Sequence, residues 1–86
     1  MRRYKMEVFR RNDLRGEKDR LWQTHSIWAA DDDDAKNQVR AKAIILKREL
    51  AQTDSRVDRY CLYDNVGNLV TEVRAGPPTH SDPSLK

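Results

Sequence analysis

The chain has few of the residues that build reactive sites. Its 86 residues include one cysteine, Cys61, and two histidines, His25 and His80. A single cysteine cannot form an internal disulfide, which is typical of proteins in a reducing compartment, so we expect a cytoplasmic location. No pair of Cys or His residues has the spacing of a zinc site, and Cys61, alternating within an apolar strand, fits a small buried hydrophobe.

Glycine and apolar runs are equally scarce. The three glycines are scattered, so there is no glycine-rich phosphate loop. The longest apolar run, Ala43 to Leu46, is far shorter than the roughly 18 residues that span a bilayer. The first residues alternate rather than lead into an apolar segment, which excludes a secretory signal by pattern. The sequence predicts no catalytic residues, no metal site, no cofactor and no membrane contact, and we expect a protein that is not an enzyme.

Two stretches of alternating residues predict a first hairpin. Tyr4 to Val8 alternates apolar and charged residues as a half-buried strand does, with Phe9 past a bulge or at the edge. Arg11 to Arg20 is polar and is predicted to be a loop. Leu21 to Ala29 is rich in Trp, Thr and Ile and predicts a second strand. Its register stays open, but we expect the side chains of its two tryptophans to share one face, with at least one of them buried.

A helix follows, and its signals agree with one another. One of the aspartates 31–33 can cap it, and the others complement the positive end of its dipole. Apolar residues then recur at helical spacing and predict a buried stripe. The stripe consists of Ala35, Val39, Ala43, Leu46 and Leu50. We expect the helix to end between Gln52 and Ser55.

A second hairpin completes the domain. Val57 to Tyr63 and Leu69 to Arg74 predict two strands, and Gly67 in the connecting turn can adopt a positive φ. The predicted order is therefore ββαββ, an α+β two-layer sandwich of a four-stranded, mainly antiparallel sheet and one amphipathic helix. Residues 1–75 form the single domain, and the Pro- and Ser-containing residues 76–86 are predicted to be a disordered tail.

Several segments also carry a family resemblance. They are Arg3-Tyr4 at the start, Ile27-Trp28-Ala29-Ala30-Asp31 before the helix, and Tyr63-Asp64-Asn65-Val66-Gly67-Asn68-Leu69-Val70 at the end. Over residues 3–74 this pattern resembles short, uncharacterised bacterial proteins built as hairpin, helix, hairpin. The segment Arg10 to Lys18 is basic where that group has an acidic turn. The resemblance implies a fold and brings no activity with it.

The four consecutive aspartates 31–34 are conspicuous but do not predict a metal site. A calcium loop needs alternating ligands, a glycine and a closing glutamate, and consecutive helix residues point about 100° apart. The run is instead predicted to be the N-terminal cap of the helix.

Two surfaces are candidates for binding. Ile44 and Ile45 lie outside the predicted buried stripe, beside Ala41 and Arg48, and exposed apolar neighbours suggest a contact surface. We therefore expect a homodimer, through this helix face or a sheet edge. The second surface is the basic first hairpin, with aromatic residues interleaved, a pattern used to hold single-stranded nucleic acid. Its basic residues are Arg2, Arg3, Lys5, Arg10, Arg11, Arg15, Lys18 and Arg20.

Four acidic residues lie within the same twenty residues and reduce the charge of that hairpin. The sequence therefore favours a small, self-associating module that binds protein. Nucleic-acid binding by the hairpin is the alternative.

Overall fold

The computed structural model describes residues 1–74, so the predicted tail lies outside the described residues. The strands are β1 (Arg2–Asn12), β2 (Glu17–Ala29), β3 (Ser55–Tyr63) and β4 (Leu69–Arg74), and the helix α1 (Asp32–Leu50) connects β2 to β3. The four strands form one sheet in the order β2-β1-β3-β4, and every neighbouring pair is antiparallel. The predicted α+β class and the ββαββ order are confirmed. No helix within residues 1–74 has the length and apolar character needed to cross a membrane.

The helix covers one face of the sheet and encloses the core. All five residues of the predicted stripe are buried, as are alternate residues of the strands. The sheet contributes Tyr4, Met6 and Val8 from β1, Ile27 and Ala29 from β2, and Val57, Tyr60 and Leu62 from β3. Alternation therefore turns the intervening strand residues to the opposite side. We call that side, which faces away from α1, the open face.

The aspartate run caps α1 as predicted. Asp31 is the N-cap, and its Oδ1 accepts the Asp34 backbone N–H at 2.9 Å. The Asp34 Oδ2 accepts the backbone N–H of Ala30 at 2.9 Å, and the buried Tyr4 hydroxyl donates to Asp32 Oδ1 at 2.7 Å. Each of these bonds satisfies a group at the start of the helix or ties the helix to β1. The helix ends at Leu50, earlier than predicted.

The first hairpin is longer than predicted. Strand pairing continues to Asn12 and resumes at Glu17, leaving only a single 3₁₀ turn closed by Gly16 at φ 68°. The predicted loop is therefore wrong for most of its length, because this end of the hairpin is held by polar contacts instead of apolar ones. Asn12, for example, is buried, and its Oδ1 accepts the Arg15 backbone N–H.

The side chains of β2 do not alternate between the two faces along the whole strand. A register shift lies between Val8 and Phe9 of β1, where Trp22 is the unmatched residue of β2. Trp22 packs against the core, whereas Trp28, opposite Arg3, is 57% exposed. The expectation that both tryptophan side chains share a face is therefore wrong, because a bulge reverses the alternation between them.

Candidate functional site

The outer face of α1 carries exposed apolar side chains. Ile44 and Ile45 are 51% and 55% exposed, and Ala41 and Arg48 beside them are exposed as well. The structure thus places all four residues of the predicted contact surface together on the side of α1 that faces away from the sheet. A partner for this surface stays a prediction.

The eight basic residues of the first hairpin fall into two groups. Arg2, Arg3 and Lys5 lie at the start of β1, and the others lie at or near the far end of the hairpin. Strands rise about 3.3 Å per residue, so the five residues from Lys5 to Arg10 separate the nearest members of the two groups by roughly 17 Å. The hairpin therefore does not present these residues as one continuous basic patch.

Ion pairs occupy three of these eight residues. Lys5 lies 3.5 Å from Glu7, Arg10 lies 3.5 Å from Glu17, and Arg11 contacts two aspartates. The remaining five form no ion pair with any other residue in the range 1–74, and they are Arg2, Arg3, Arg15, Lys18 and Arg20.

Strand pairing aligns the open face in cross-strand rows. One row runs through Ser26, Lys5, Tyr63 and Leu69, and the next runs through Thr24, Glu7, Cys61 and Glu72. A third row contains Leu21, Phe9, Arg59 and Arg74. The open face therefore carries charged, hydroxyl and aromatic side chains, in contrast to the apolar face that packs against α1.

Arg59 organises one half of the open face. Its guanidinium carbon lies 3.8 Å from the centre of the Phe9 ring, a cation–π arrangement. Its Nε and Nη2 donate to the two carboxylate oxygens of Asp19 at 2.5 and 3.2 Å, and Nη1 lies 3.4 Å from a Glu72 oxygen. The hydrogen bond to Asp19 raises the pKa of Arg59 and lowers the pKa of Asp19. With both carboxylates in place, this arginine is neutralised and does not offer a free charge to a ligand.

The other half of the open face contains a groove of about 490 Å³. One part of it is lined by Arg3, Tyr4 and Lys5 of β1 and by Thr24 and Ser26 of β2. Tyr63 and the turn after it line the rest, through Asp64, Asn65 and Gly67. Lys5 Nζ lies 5.4 Å from the centre of the Tyr63 ring, and burial raises the pKa of the Tyr63 phenol.

The β3–β4 turn holds its part of the groove in a fixed shape. Asp64 Oδ1 accepts the backbone N–H groups of Val66 and Asn68 at 3.0 and 2.9 Å. Gly67 adopts φ 90°, which glycine tolerates and other residues rarely adopt, as the sequence predicted. The hydrogen bonds of Asp64 and the positive φ of Gly67 therefore fix the backbone of the part of the groove that the turn forms.

The two side chains with the most familiar reactive chemistry are apart. His25 pairs with Met6 and faces the helix, while Cys61 pairs with Glu7 and lies buried on the open face. Burial, followed by the charge of Lys42, lowers the pKa of His25. The sheet therefore separates the imidazole from the thiol. Within residues 1–74, no three His, Cys, Asp or Glu side chains gather to form a metal site.

The sequence did not predict the groove, although it contains two residues that the sequence had assigned to nucleic-acid contact, Arg3 and Lys5. The others come from a second strand and a distant turn, and only the strand order joins them.

No family model, curated protein or solved structure matches the chain. The resemblance to the short bacterial hairpin–helix–hairpin proteins stays a prediction.

Proposed function

We propose that this chain is a non-enzymatic protein-binding module of the cytoplasm that self-associates through the outer face of α1. The observation that carries the proposal is the exposure of Ile44 and Ile45, 51% and 55%, next to one another on a helix. The chain is 36% charged, so adjacent exposed isoleucines depart from the character of its surface. Covering apolar area of this kind stabilises a complex by removing it from water.

Charge spacing along α1 supports a second copy as the occupant. Asp34 and Arg48 each lie seven residues from Ala41, and residues seven apart share nearly one line along a helix. In an antiparallel pair of α1 helices centred on Ala41, Asp34 of one copy meets Arg48 of the other at both ends. The small Ala41 side chain lets the two helices approach closely, and the isoleucines flank that central contact.

The dipoles of the two helices favour the same arrangement. The first turn of α1 carries three aspartates, and its last turn carries Lys47 and Arg48. Antiparallel pairing brings the acidic end of each helix beside the basic end of the other, so the charges attract in both halves. Parallel pairing would place like charges together at each end.

The size of this surface sets the expected strength of the dimer. A helix of 19 residues is about 28 Å long at 1.5 Å per residue. One helix face of that length buries less than the roughly 800 Å² per partner of a standard interface. We therefore expect micromolar rather than nanomolar affinity.

Sedimentation equilibrium between about 5 and 500 μM, a range set by the expected micromolar affinity, tests the proposal. The unmodified chain should shift from monomer to dimer across this range, and Ile45→Asp should remain a monomer. Leu14→Asp is the matched control, because Leu14 is an exposed apolar residue in the turn of the first hairpin, away from α1. A chain that stays monomeric throughout would contradict self-association, and equal loss in both variants would contradict the role of α1.

Arg48→Glu tests the charge pairing separately. Its helix keeps the isoleucines but places two acidic groups opposite each other at both ends of the proposed pair, so the dimer should weaken. Added salt should also weaken the dimer of the unmodified chain, whereas in the variant it should screen the repulsion between the acidic groups and strengthen the dimer. An Arg48→Glu dimer as stable as the original would leave the antiparallel arrangement without support.

Nucleic-acid binding by the first hairpin is the second candidate function. It is supported by the five basic residues that form no ion pair within residues 1–74. A shift of labelled single- or double-stranded oligonucleotides at about 50 mM salt that disappears as salt is raised would favour it, because phosphate contacts release counterions. Absence of a shift at that salt concentration would remove this candidate.

A further inference from the structure

We propose that the groove on the open face binds a phosphate monoester carried on a hydroxylated ring, the chemistry shared by sugar phosphates and nucleotides. This site lies on the opposite side of the sheet from α1, so it goes beyond self-association. Its volume of about 490 Å³ falls within the range of roughly 300–1,000 Å³ that small-molecule sites occupy. The groove is also the place where three separate segments of chain bring polar groups together.

The charge of the groove favours an anion. Its lining contains two cations, Arg3 and Lys5, and one carboxylate, Asp64. Lys5 lies 3.5 Å from Glu7, so Arg3 carries the unpaired positive charge. The Asp64 carboxylate already accepts two backbone N–H groups of its own turn, which satisfy part of its charge. Arg3 makes no side-chain hydrogen bond or ion pair with another residue of the range 1–74, whereas Arg59 on the same face is fully engaged. Arg3 is thus the cation of the open face that is available to a phosphate, and Arg binds phosphate through two parallel donors.

The neutral groups of the groove suit a ring that bears hydroxyls. Thr24 and Ser26 present hydroxyls from β2, and Asn65 presents an amide from the turn. Neither hydroxyl makes a side-chain hydrogen bond with another residue among the first 74. The Tyr63 ring adds a flat apolar wall, against which the face of a sugar or base can pack. A bare phosphate can accept hydrogen bonds from these groups but does not cover the Tyr63 ring, whereas a sugar or a base does both.

Calorimetric titration with ribose 5-phosphate tests this site, with ribose and inorganic phosphate as partial ligands. Ribose 5-phosphate should bind more tightly than either partial ligand. Arg3→Gln should weaken it by about tenfold or more, since a charge-assisted, bidentate contact is lost. Arg40→Gln is the matched control, because it removes the same charge from an exposed position of α1 outside the groove, and it should leave the affinity within about twofold, the effect of net charge alone.

Adenosine monophosphate and a 5′-phosphorylated tetranucleotide distinguish the source of the ligand. Equal affinity for the two, or tighter binding of the mononucleotide, would assign the groove to free metabolites. Tighter binding of the tetranucleotide, with loss in Arg3→Gln, would assign it to the end of a nucleic-acid strand. Quenching of Trp28, which lies opposite Arg3 on the open face, provides a second readout.

Three results would overturn the proposal. They are no binding of ribose 5-phosphate at about 10 mM, which corresponds to an affinity too weak for a specific site, equal binding of inorganic phosphate, and equal loss in Arg3→Gln and Arg40→Gln. Arg3 is exposed, and its side chain makes no hydrogen bond or ion pair within residues 1–74, so the unfolding midpoint of each variant should match the original and confirm that only the groove has changed.

Discussion

Two neighbouring residues of α1 provide a direct test of the packing. Leu46 is 4% exposed and belongs to the core, while Ile45 is 55% exposed and points away from the sheet. Leu46→Ala and Ile45→Ala remove side chains of similar size at adjacent positions of one helix. Leucine and isoleucine differ in helix propensity by only a few tenths of a kcal/mol, so a larger difference between the two variants reports burial.

The magnitudes follow from the exposed fractions. Truncating a buried leucine to alanine costs about 2–5 kcal/mol, including the cavity left behind. Full burial of an isoleucine contributes about 1.5–3 kcal/mol, and with 45% of Ile45 covered the loss is about 0.7–1.4 kcal/mol. Alanine recovers about 0.4 kcal/mol of helix propensity. The expected net loss for Ile45→Ala at low concentration is thus about 0.3–1.0 kcal/mol.

Urea unfolding followed by circular dichroism measures both values. At about 2 μM, where the proposed micromolar dimer is dissociated, only Leu46→Ala should lower the unfolding midpoint strongly. At about 300 μM the unmodified chain should gain stability by mass action, and Ile45→Ala should lose that gain. Equal losses for the two variants at low concentration would refute the assigned faces of α1.

Three further changes test the elements that position the two surfaces. Asp31→Ala removes the side chain that accepts the Asp34 N–H, and it should lower the free energy of unfolding by about 1 kcal/mol in urea titrations, whereas Asp31→Asn should be nearly neutral. Gly67→Ala should destabilise by about 1 kcal/mol, because alanine is strained at φ 90°, and this loss should appear as a lower thermal midpoint. The pKa of Asp19 is lowered in the folded chain, so its carboxylate stabilises the fold above the unfolded pKa of about 3.9. This stabilisation is lost as the pH falls through the folded pKa. The urea midpoint of Asp19→Asn should therefore depend less on pH below about 5 than that of the unmodified chain.

The sequence correctly predicted the elements that depend on residues close to one another in the chain. The stripe of α1 follows from helical spacing, the cap from an aspartate before it, and the last turn from Gly67. The exposure of Ile44 and Ile45 followed from the same projection, since residues off the stripe must face away from the sheet.

What the sequence missed depends on contacts between distant residues. Asp19 adopts φ 56° within β2, an unusual conformation for a residue other than glycine, and its carboxylate pairs with Arg59, forty positions away. No residue near Asp19 in the sequence indicates that partner, so the polar segment from Arg11 to Arg20 was predicted to be a loop. The bulge at Trp22 could not be predicted from the sequence either, because it is defined by the pairing of β2 with β1 and not by the order of apolar and polar residues in β2. The groove requires the strand order β2-β1-β3-β4, which the hydrophobic pattern does not specify.

The placement of the two proposed surfaces makes a final prediction about their coupling. In an antiparallel pair of α1 helices, each sheet lies about 10 Å outside its helix, and paired helices lie about 8–10 Å apart. The two grooves would then open on opposite outer sides, roughly 30 Å apart, with neither one touching the helix contact. A ligand that interacts equally with monomer and dimer cannot shift the equilibrium between them. Ile45→Asp should therefore bind ribose 5-phosphate with the affinity of the unmodified chain, and saturating ligand should leave the sedimentation profile unchanged. A ligand-dependent change in mass would mean that the groove and α1 are linked through the sheet, and the independence inferred from their opposite faces would be wrong.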